Sequence, residues 1–141
     1  MAGRPIGIAG AQATPGRAGP IERFVVLEHE WNGVHWDFML ERSGVLKTWA
    51  VDLPLEPGRE LPARRLADHR IAYLDYEGPI SGNRGRVRRI DAGTYETIQW
   101  EDTMVQVVIR GGQLAGEVVI RRANSARCLE TSWILRLGNL D

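Results

Sequence analysis

Three side chains in "EHEWNGVHWDFMLE", residues 28–41, are of metal-binding type: His29, His35 and Asp37. Two imidazoles and a carboxylate suit a divalent transition ion such as Mn²⁺, Fe²⁺ or Zn²⁺ and leave coordination positions open for a substrate. Whether they converge depends on the turn between them. A two-residue turn at Asn32-Gly33 would pair His29 with Trp36 and send the two histidines to opposite faces. A three-residue loop of Trp31, Asn32 and Gly33, a type I turn with Gly33 left-handed, instead pairs His29 with His35 and Leu27 with Asp37. All three ligand types then share one face. That register also gives Val34, Trp36, Phe38 and Leu40 a continuous apolar face for the core, which makes it the expectation. A solvated hairpin face, with His29 and Asp37 exposed, meets the spacing equally well.

A second pair lies in "ADHRIAYLDYEG", residues 67–78. His69 and Tyr73 are four apart, an even spacing that puts both on one face of an extended strand. Imidazole and phenol can together hold an oxyanion or protonate a leaving oxygen. The bland alternative is a histidine and a tyrosine lining the edge of a core.

These residues need a scaffold, and the pattern around them is strand after strand. "RFVVLEH", "GVHWDFMLE", "GVLKTWAV", "RIAYLDYEG", "RVRRIDAG", "TYETIQW", "MVQVVIRG", "LAGEVVIRR" and "TSWILRL" are separated by Gly, Pro, Asn and Asp, as in an all-β sandwich or barrel. Three prolines in 52–66 predict a loop there. Residues 1–20, rich in Gly, Ala and Pro, read as a flexible arm, and 21–141 as a single domain.

With 141 residues, 43% of them hydrophobic, the chain can bury one core but not two. Its 18 basic residues balance 18 acidic ones, so any contact with nucleic acid must be local. Lys47 is the only lysine. Arginine suits bidentate phosphate contacts, although a GC-rich coding sequence yields the same bias. Cys128, the single cysteine, excludes an intrachain disulfide and reads as inert packing. With no long apolar run and no signal-peptide pattern, the expectation is a cytoplasmic protein with no membrane contact. Trp36, Trp49, Trp100 and Trp133 read as core, while Trp31, at the turn, is the tryptophan free to stack on a base.

Taken together, "RFVVLEHEWNGVHWDFMLE", "GVLKTWAV", "DHRIAYLDYEG" and the closing "WILRL" resemble the 3′-phosphoesterase module of bacterial DNA ligase D and its stand-alone relatives. The resemblance runs from about Arg23 to Leu137. It implies a small closed or nearly closed antiparallel β-barrel that binds Mn²⁺, or another divalent ion such as Zn²⁺ or Co²⁺. The implied activity trims DNA 3′ ends, removing a terminal ribonucleotide's nucleoside and the remaining 3′-phosphate to leave a 3′-hydroxyl. The expectation is a monomer that acts on primer-template ends, with a DNA ligase, a repair polymerase or Ku as candidate partners in trans. By the same resemblance His29, His35 and Asp37 are metal ligands, while His69 and Tyr73 contact the scissile phosphate, His69 as a protonated donor or general acid.

One position departs from the resemblance. Met39 stands where arginine is usual, on the metal-facing side, and methionine can neither donate a hydrogen bond nor neutralise a phosphate oxygen. Candidate replacements are Arg64 and Arg65, and the cluster Arg84, Arg86, Arg88 and Arg89, in which Arg84, Arg86 and Arg88 would share one strand face. Two alternatives follow. One is a catalytically weakened module that binds DNA ends or a repair partner. The other is a small two-His, one-carboxylate iron oxygenase, in which His69 is the third ligand and His29 is dispensable.

Overall fold

Apolar residues occupy both faces of the first two strands. In β1 (Glu22–Glu30) Phe24 and Val26 face one side and Val25 and Leu27 the other, and in β2 (Val34–Arg42) Phe38 and Leu40 lie opposite Met39. All are buried. A sheet that is apolar on both faces needs cover on both. The fold supplies it by closing one face on itself and laying a chain segment over part of the other.

The computed structural model describes residues 22–123 and 132–138. The arm at 1–20, the domain start at Ile21 and Cys128 lie outside these described residues. After β1 and β2 come β3 (Val45–Val51), β4 (Glu60–Arg70), β5 (Gly78–Pro79), β6 (Arg86–Glu101), β7 (Met104–Gly111), β8 (Ala115–Arg122) and β9 (Ser132–Leu137). Neighbours run β1-β2-β3-β4-β9-β8-β7-β6, all antiparallel, and β6 pairs back with β1. Eight strands thus close the expected barrel and leave it no open edge, with β5 a two-residue addition to β6. Side chains from all eight strands fill the interior, including Phe24, Phe38, Trp49, Leu61, Tyr95, Ile109, Ile120 and Leu135. Each such side chain contributes roughly 1.5–3 kcal/mol by leaving water. A second, smaller cluster of Val25, Leu27, Met39, Leu46, Leu74 and Val87 lies on the outside of the barrel.

Four expectations about elements need correction. The prolines of 52–66 do not keep that whole segment a loop, because β4 already begins at Glu60. Its Leu61 and Ala63 alternate into the core, and Pro62 precedes the β3 pairing, which starts at Ala63, so on that side no ladder bond is lost. "RIAYLDYEG" is not a strand either. β4 ends at Arg70, and Ile71–Leu74 form a single 3₁₀ turn that tucks Leu74 into the outer cluster. "RVRRIDAG" and "TYETIQW" are one 16-residue strand, β6, which pairs with β1 along its first part and with β7 along its second. The Asp91-Ala92-Gly93 stretch resembles a turn but is extended. Asp91 accepts hydrogen bonds from the backbone N–H groups of Gly112, Gln113 and Leu114, and Gly93 leaves room for the carbonyl of Arg110. Finally, Val34 is exposed rather than core, because β2 outruns the barrel at its hairpin end.

Candidate metal centre and phosphate cleft

The β1–β2 hairpin decides whether the two histidines meet. Its register is the three-residue one: His29 pairs with His35 and Leu27 with Asp37, leaving Trp31, Asn32 and Gly33 as the loop. The turn itself differs from expectation. Asn32 takes the left-handed conformation at φ 54° and Gly33 lies at φ 112°, so it is not a type I turn with Gly33 alone at positive φ. Asparagine tolerates that conformation, which lets the loop close in this form.

The register brings the three ligand types together. Nitrogen or oxygen atoms of His29, His35 and Asp37 all lie within 4.8 Å of one another. Asp37 is 2% exposed, and its Oδ1 lies 3.2 Å from His35 Nε2, yet that oxygen has no hydrogen-bond partner. A buried carboxylate oxygen left unpaired is costly, and a cation is the economical remedy. The His35–Asp37 spacing suits one, since two ligands about 2.1 Å from a single ion at tetrahedral or octahedral angles stand roughly 3.0–3.4 Å apart, while the cluster as a whole, spread over up to 4.8 Å, would draw in around the ion. His29 is already oriented. Its Nε2 lies 2.9 Å from the carbonyl of Arg84, and since a carbonyl only accepts, Nε2 carries the hydrogen. In the neutral ring Nδ1 then holds the free lone pair, the arrangement in which metal-binding histidines are commonly fixed by a backbone carbonyl.

His69 and Tyr73 do meet, but not as one strand face. His69 is near the end of β4 and Tyr73 on the 3₁₀ turn, and the bend between them brings the rings edge-to-face at 5.9 Å. His69 Nδ1 donates to the carbonyl of Ala67 at 2.9 Å, which leaves Nε2 as the nitrogen able to exchange a proton. Tyr73 packs on Tyr76, and its hydroxyl makes no hydrogen bond among the described residues. The turn is tied to the barrel by Arg23, whose guanidinium meets Asp75 at 2.8 Å, and by Arg89, which donates to the carbonyl of Leu74. The Arg23 hydrogen bond holds the Asp75 carboxyl below its usual range. Glu77 accepts from the Arg89 backbone N–H, so neither of these carboxylates orients a histidine.

His29 and Asp37 of the first group and both members of the second line one cleft of about 320 Å³, with Leu27, Trp31, Met39, Asp68, Arg70, Ile80, Ser81, Arg84 and Val87, while His35 is not among its lining residues. Met39 is buried in its apolar floor, on the same face as Asp37. Trp31 is exposed and stacks on His29 at 6.1 Å, while Trp49 and Trp133 are buried in the barrel and Trp36 and Trp100 partly so. His29 rather than His69 completes the ligand cluster, contrary to the oxygenase alternative.

The proposed arginines divide. Arg84 lines the cleft, from the loop before β6 rather than from a strand face. Arg86 and Arg88 sit opposite Glu30 and Glu28, on the sheet face that His29 and Val87 do not share, and Arg88 is ion-paired with Glu28 at 3.2 Å. Arg64 follows Asp37 and Ala50 across the sheet but is held by Asp52 at 3.1 Å outside the cleft. Arg65 lies over the Trp49 ring, at 4.6 Å from its centroid, away from the metal-binding face. Arg70, not anticipated from sequence, does line the cleft. Read as a strand, residues 67–78 would have turned Arg70 away from His69. Arg70 is the last residue of β4, paired with Val45 as His69 is with Leu46, yet it lines the cleft at the point where the strand gives way to the 3₁₀ turn.

A family profile described as the DNA Ligase D 3′-phosphoesterase domain matches residues 27–122. The multifunctional non-homologous end joining DNA repair protein LigD of Mycobacterium tuberculosis (strain CDC 1551 / Oshkosh) is 38% identical over 115 residues, covering 75% of this chain and 15% of that protein. The LigD protein of Pseudomonas aeruginosa is 31% identical over 125 residues, covering 80% of this chain and 14% of its own length. The chain therefore spans about 15% of the length of the curated relatives it matches.

Proposed function

Since the chain belongs to the DNA ligase D 3′-phosphoesterase domain family, we propose that it is a metal-dependent phosphoesterase of DNA end joining that clears 3′-phosphates and 3′-terminal ribonucleotides to leave a 3′-hydroxyl. One observation carries the reading: the buried, unpaired Asp37 Oδ1, clustered with His29 and His35, faces the same cleft as His69 and Tyr73. His29, His35 and Asp37 would hold the ion, with Mn²⁺ as the proposed metal. When bound, a divalent ion supplies Lewis-acid polarisation of a phosphoryl oxygen or an activated water.

The remaining work falls to the chain's own groups. Tyr73 directs its hydroxyl to a phosphoryl oxygen and offsets charge that grows in the transition state. His69, its Nδ1 fixed on Ala67, delivers the proton on Nε2 to the departing oxygen as water adds to phosphorus and the phosphorus–oxygen bond breaks: the 5′ oxygen of the terminal nucleoside in ribonucleotide trimming, the 3′ oxygen of the primer in phosphate release. The apolar floor of Leu27, Met39 and Val87 limits water around the reacting phosphate. The substrate is the 3′ end of a primer-template, with a ligase, a repair polymerase or Ku acting on the product in trans.

The test is a primer bearing a 3′-phosphate, or one 3′-ribonucleotide, incubated with protein and Mn²⁺. The expected products are inorganic phosphate and a 3′-hydroxyl end, with a free ribonucleoside in addition from the ribonucleotide-ended primer, and His69→Ala should reduce the rate by roughly 10²-fold or more while Mn²⁺ binding persists. Retained DNA binding with no trimming at high protein concentration would overturn the enzyme in favour of an end-binding module.

A further inference from the structure

Two arginines share the cleft with the ligand cluster and the His69–Tyr73 pair: Arg70 and Arg84. Arg70 closes β4 beside His69, and Arg84 stands in the loop whose carbonyl holds His29, so each half of the site has one cation. Among the described residues neither makes an ion pair, although an acid is close by. That acid, Asp68, lies in the same cleft but is engaged by Lys47 at 3.0 Å and by Arg65 at 3.4 Å. Arg84 is anchored without being neutralised: its Nε donates to the Ser81 carbonyl at 2.8 Å and Nη2 to Ser81 Oγ at 3.4 Å. A guanidinium has five N–H donors, so most of this one remains available. Arg70 makes no side-chain hydrogen bond among the described residues.

Other arginines near the cleft are either consumed by partners or, like Arg86, set on the opposite sheet face. Arg23 is on Asp75, Arg64 on Asp52 and Arg88 on Glu28. Two unneutralised guanidinia above an apolar floor, next to a cluster suited to a divalent cation, favour a compact oxyanion.

We propose that Arg70 and Arg84 form a two-armed clamp for the terminal phosphate, one from each half of the cleft, and supply the charge that Met39 lacks. The clamp rests on the phosphoesterase reading of this cleft, but it can be tested apart from turnover.

Inorganic phosphate is titrated calorimetrically into the Mn²⁺-loaded full chain. Wild-type protein should bind it, and Arg70→Ala and Arg84→Ala should each weaken binding by about tenfold, the scale of one charge-assisted hydrogen bond. Lysine at either position should recover part of the loss, because charge returns without the planar fork. Arg136→Ala, which removes an exposed arginine on β9, should leave phosphate affinity unchanged. Mn²⁺ affinity and melting temperature should be the same in all these variants, which separates a lost clamp from a lost fold. Phosphate binding that is absent in the wild type, or untouched in both alanine variants, overturns the clamp. Binding that depends on Arg70 and Arg84 in a protein that releases no phosphate from a 3′-phosphorylated primer upholds the clamp and overturns the enzymatic reading instead.

Discussion

Asp37 concentrates the tension of the site in one atom. Its Oδ1 is buried and unpaired, and its nearest cation candidate, His35, stands at 3.2 Å without hydrogen-bond geometry. Such a group is stabilised by a bound ion and destabilises the protein without one. Saturating Mn²⁺ should therefore raise the melting temperature of the wild type, with about 2.7 kcal/mol gained at a hundredfold excess over Kd. Asp37→Asn should abolish that rise while melting no lower than the wild type in chelator, because the amide removes a buried charge. Thermal melts with Mn²⁺ and with chelator check both halves. A wild-type melt indifferent to Mn²⁺ would contradict the ligand assignment.

At the level of elements, the site depends on how closely the loop before β6 approaches the β1–β2 hairpin. Gly85, at φ 78°, makes that approach possible: a Cβ there would stand 1.9 Å from the Glu30 carbonyl oxygen and 2.7 Å from Trp31 Cβ. The neighbouring Arg84 carbonyl is then at hydrogen-bond distance from His29. Gly85→Ala should lower stability by roughly 1–3 kcal/mol, through strain at a positive φ and the displaced loop. It should also weaken Mn²⁺ binding, because His29 loses the carbonyl that fixes its tautomer. Denaturant unfolding and metal titration of this variant measure the two effects. Normal Mn²⁺ affinity in a destabilised Gly85→Ala would show that the loop supports the fold and not the ligand.

At the level of the whole molecule, barrel closure is guarded by Tyr95 on β6. Its ring fills the interior, and its hydroxyl donates to the Glu41 carbonyl at 2.6 Å, close to Glu22 Oε1 at 3.2 Å. Burial first, and then the Glu22 charge, push the phenol well above its ordinary range. A group whose pKa rises on folding contributes stability that is complete below its unfolded pKa, about 10 for tyrosine, and is lost as pH climbs towards the folded value. Wild-type stability should thus fall on the alkaline side of that value, and Tyr95→Phe should lack this part of the fall. Melting temperature against pH for the two proteins tests it. Asp68 works in the opposite sense at the acid end: burial would raise its carboxyl, but Lys47 and Arg65 together hold it low. Its contribution is therefore present above the ordinary carboxylate range and fades below it.

The sequence by itself determined what depends on local pattern. Period-two alternation gave the strands of the hairpin, of β3 and of β7 to β9, and the count of loop residues at Trp31-Asn32-Gly33 placed His29, His35 and Asp37 on one face. These follow from backbone periodicity, which neighbours in space do not alter. What only the tertiary structure decided depends on partners far along the chain. Asp91 reads as a turn residue, yet three N–H groups some twenty residues away keep β6 extended through it. Pro62 reads as a strand breaker, yet it falls where β3 has not begun to pair. Arg70 and Arg88 are equally basic in sequence. Glu28 pairs with Arg88, while Arg70, at the end of β4, lines the cleft with no ion pair among the described residues. Charge is written in the sequence, but whether it is neutralised is a property of the fold, because the neutralising group arrives from another strand.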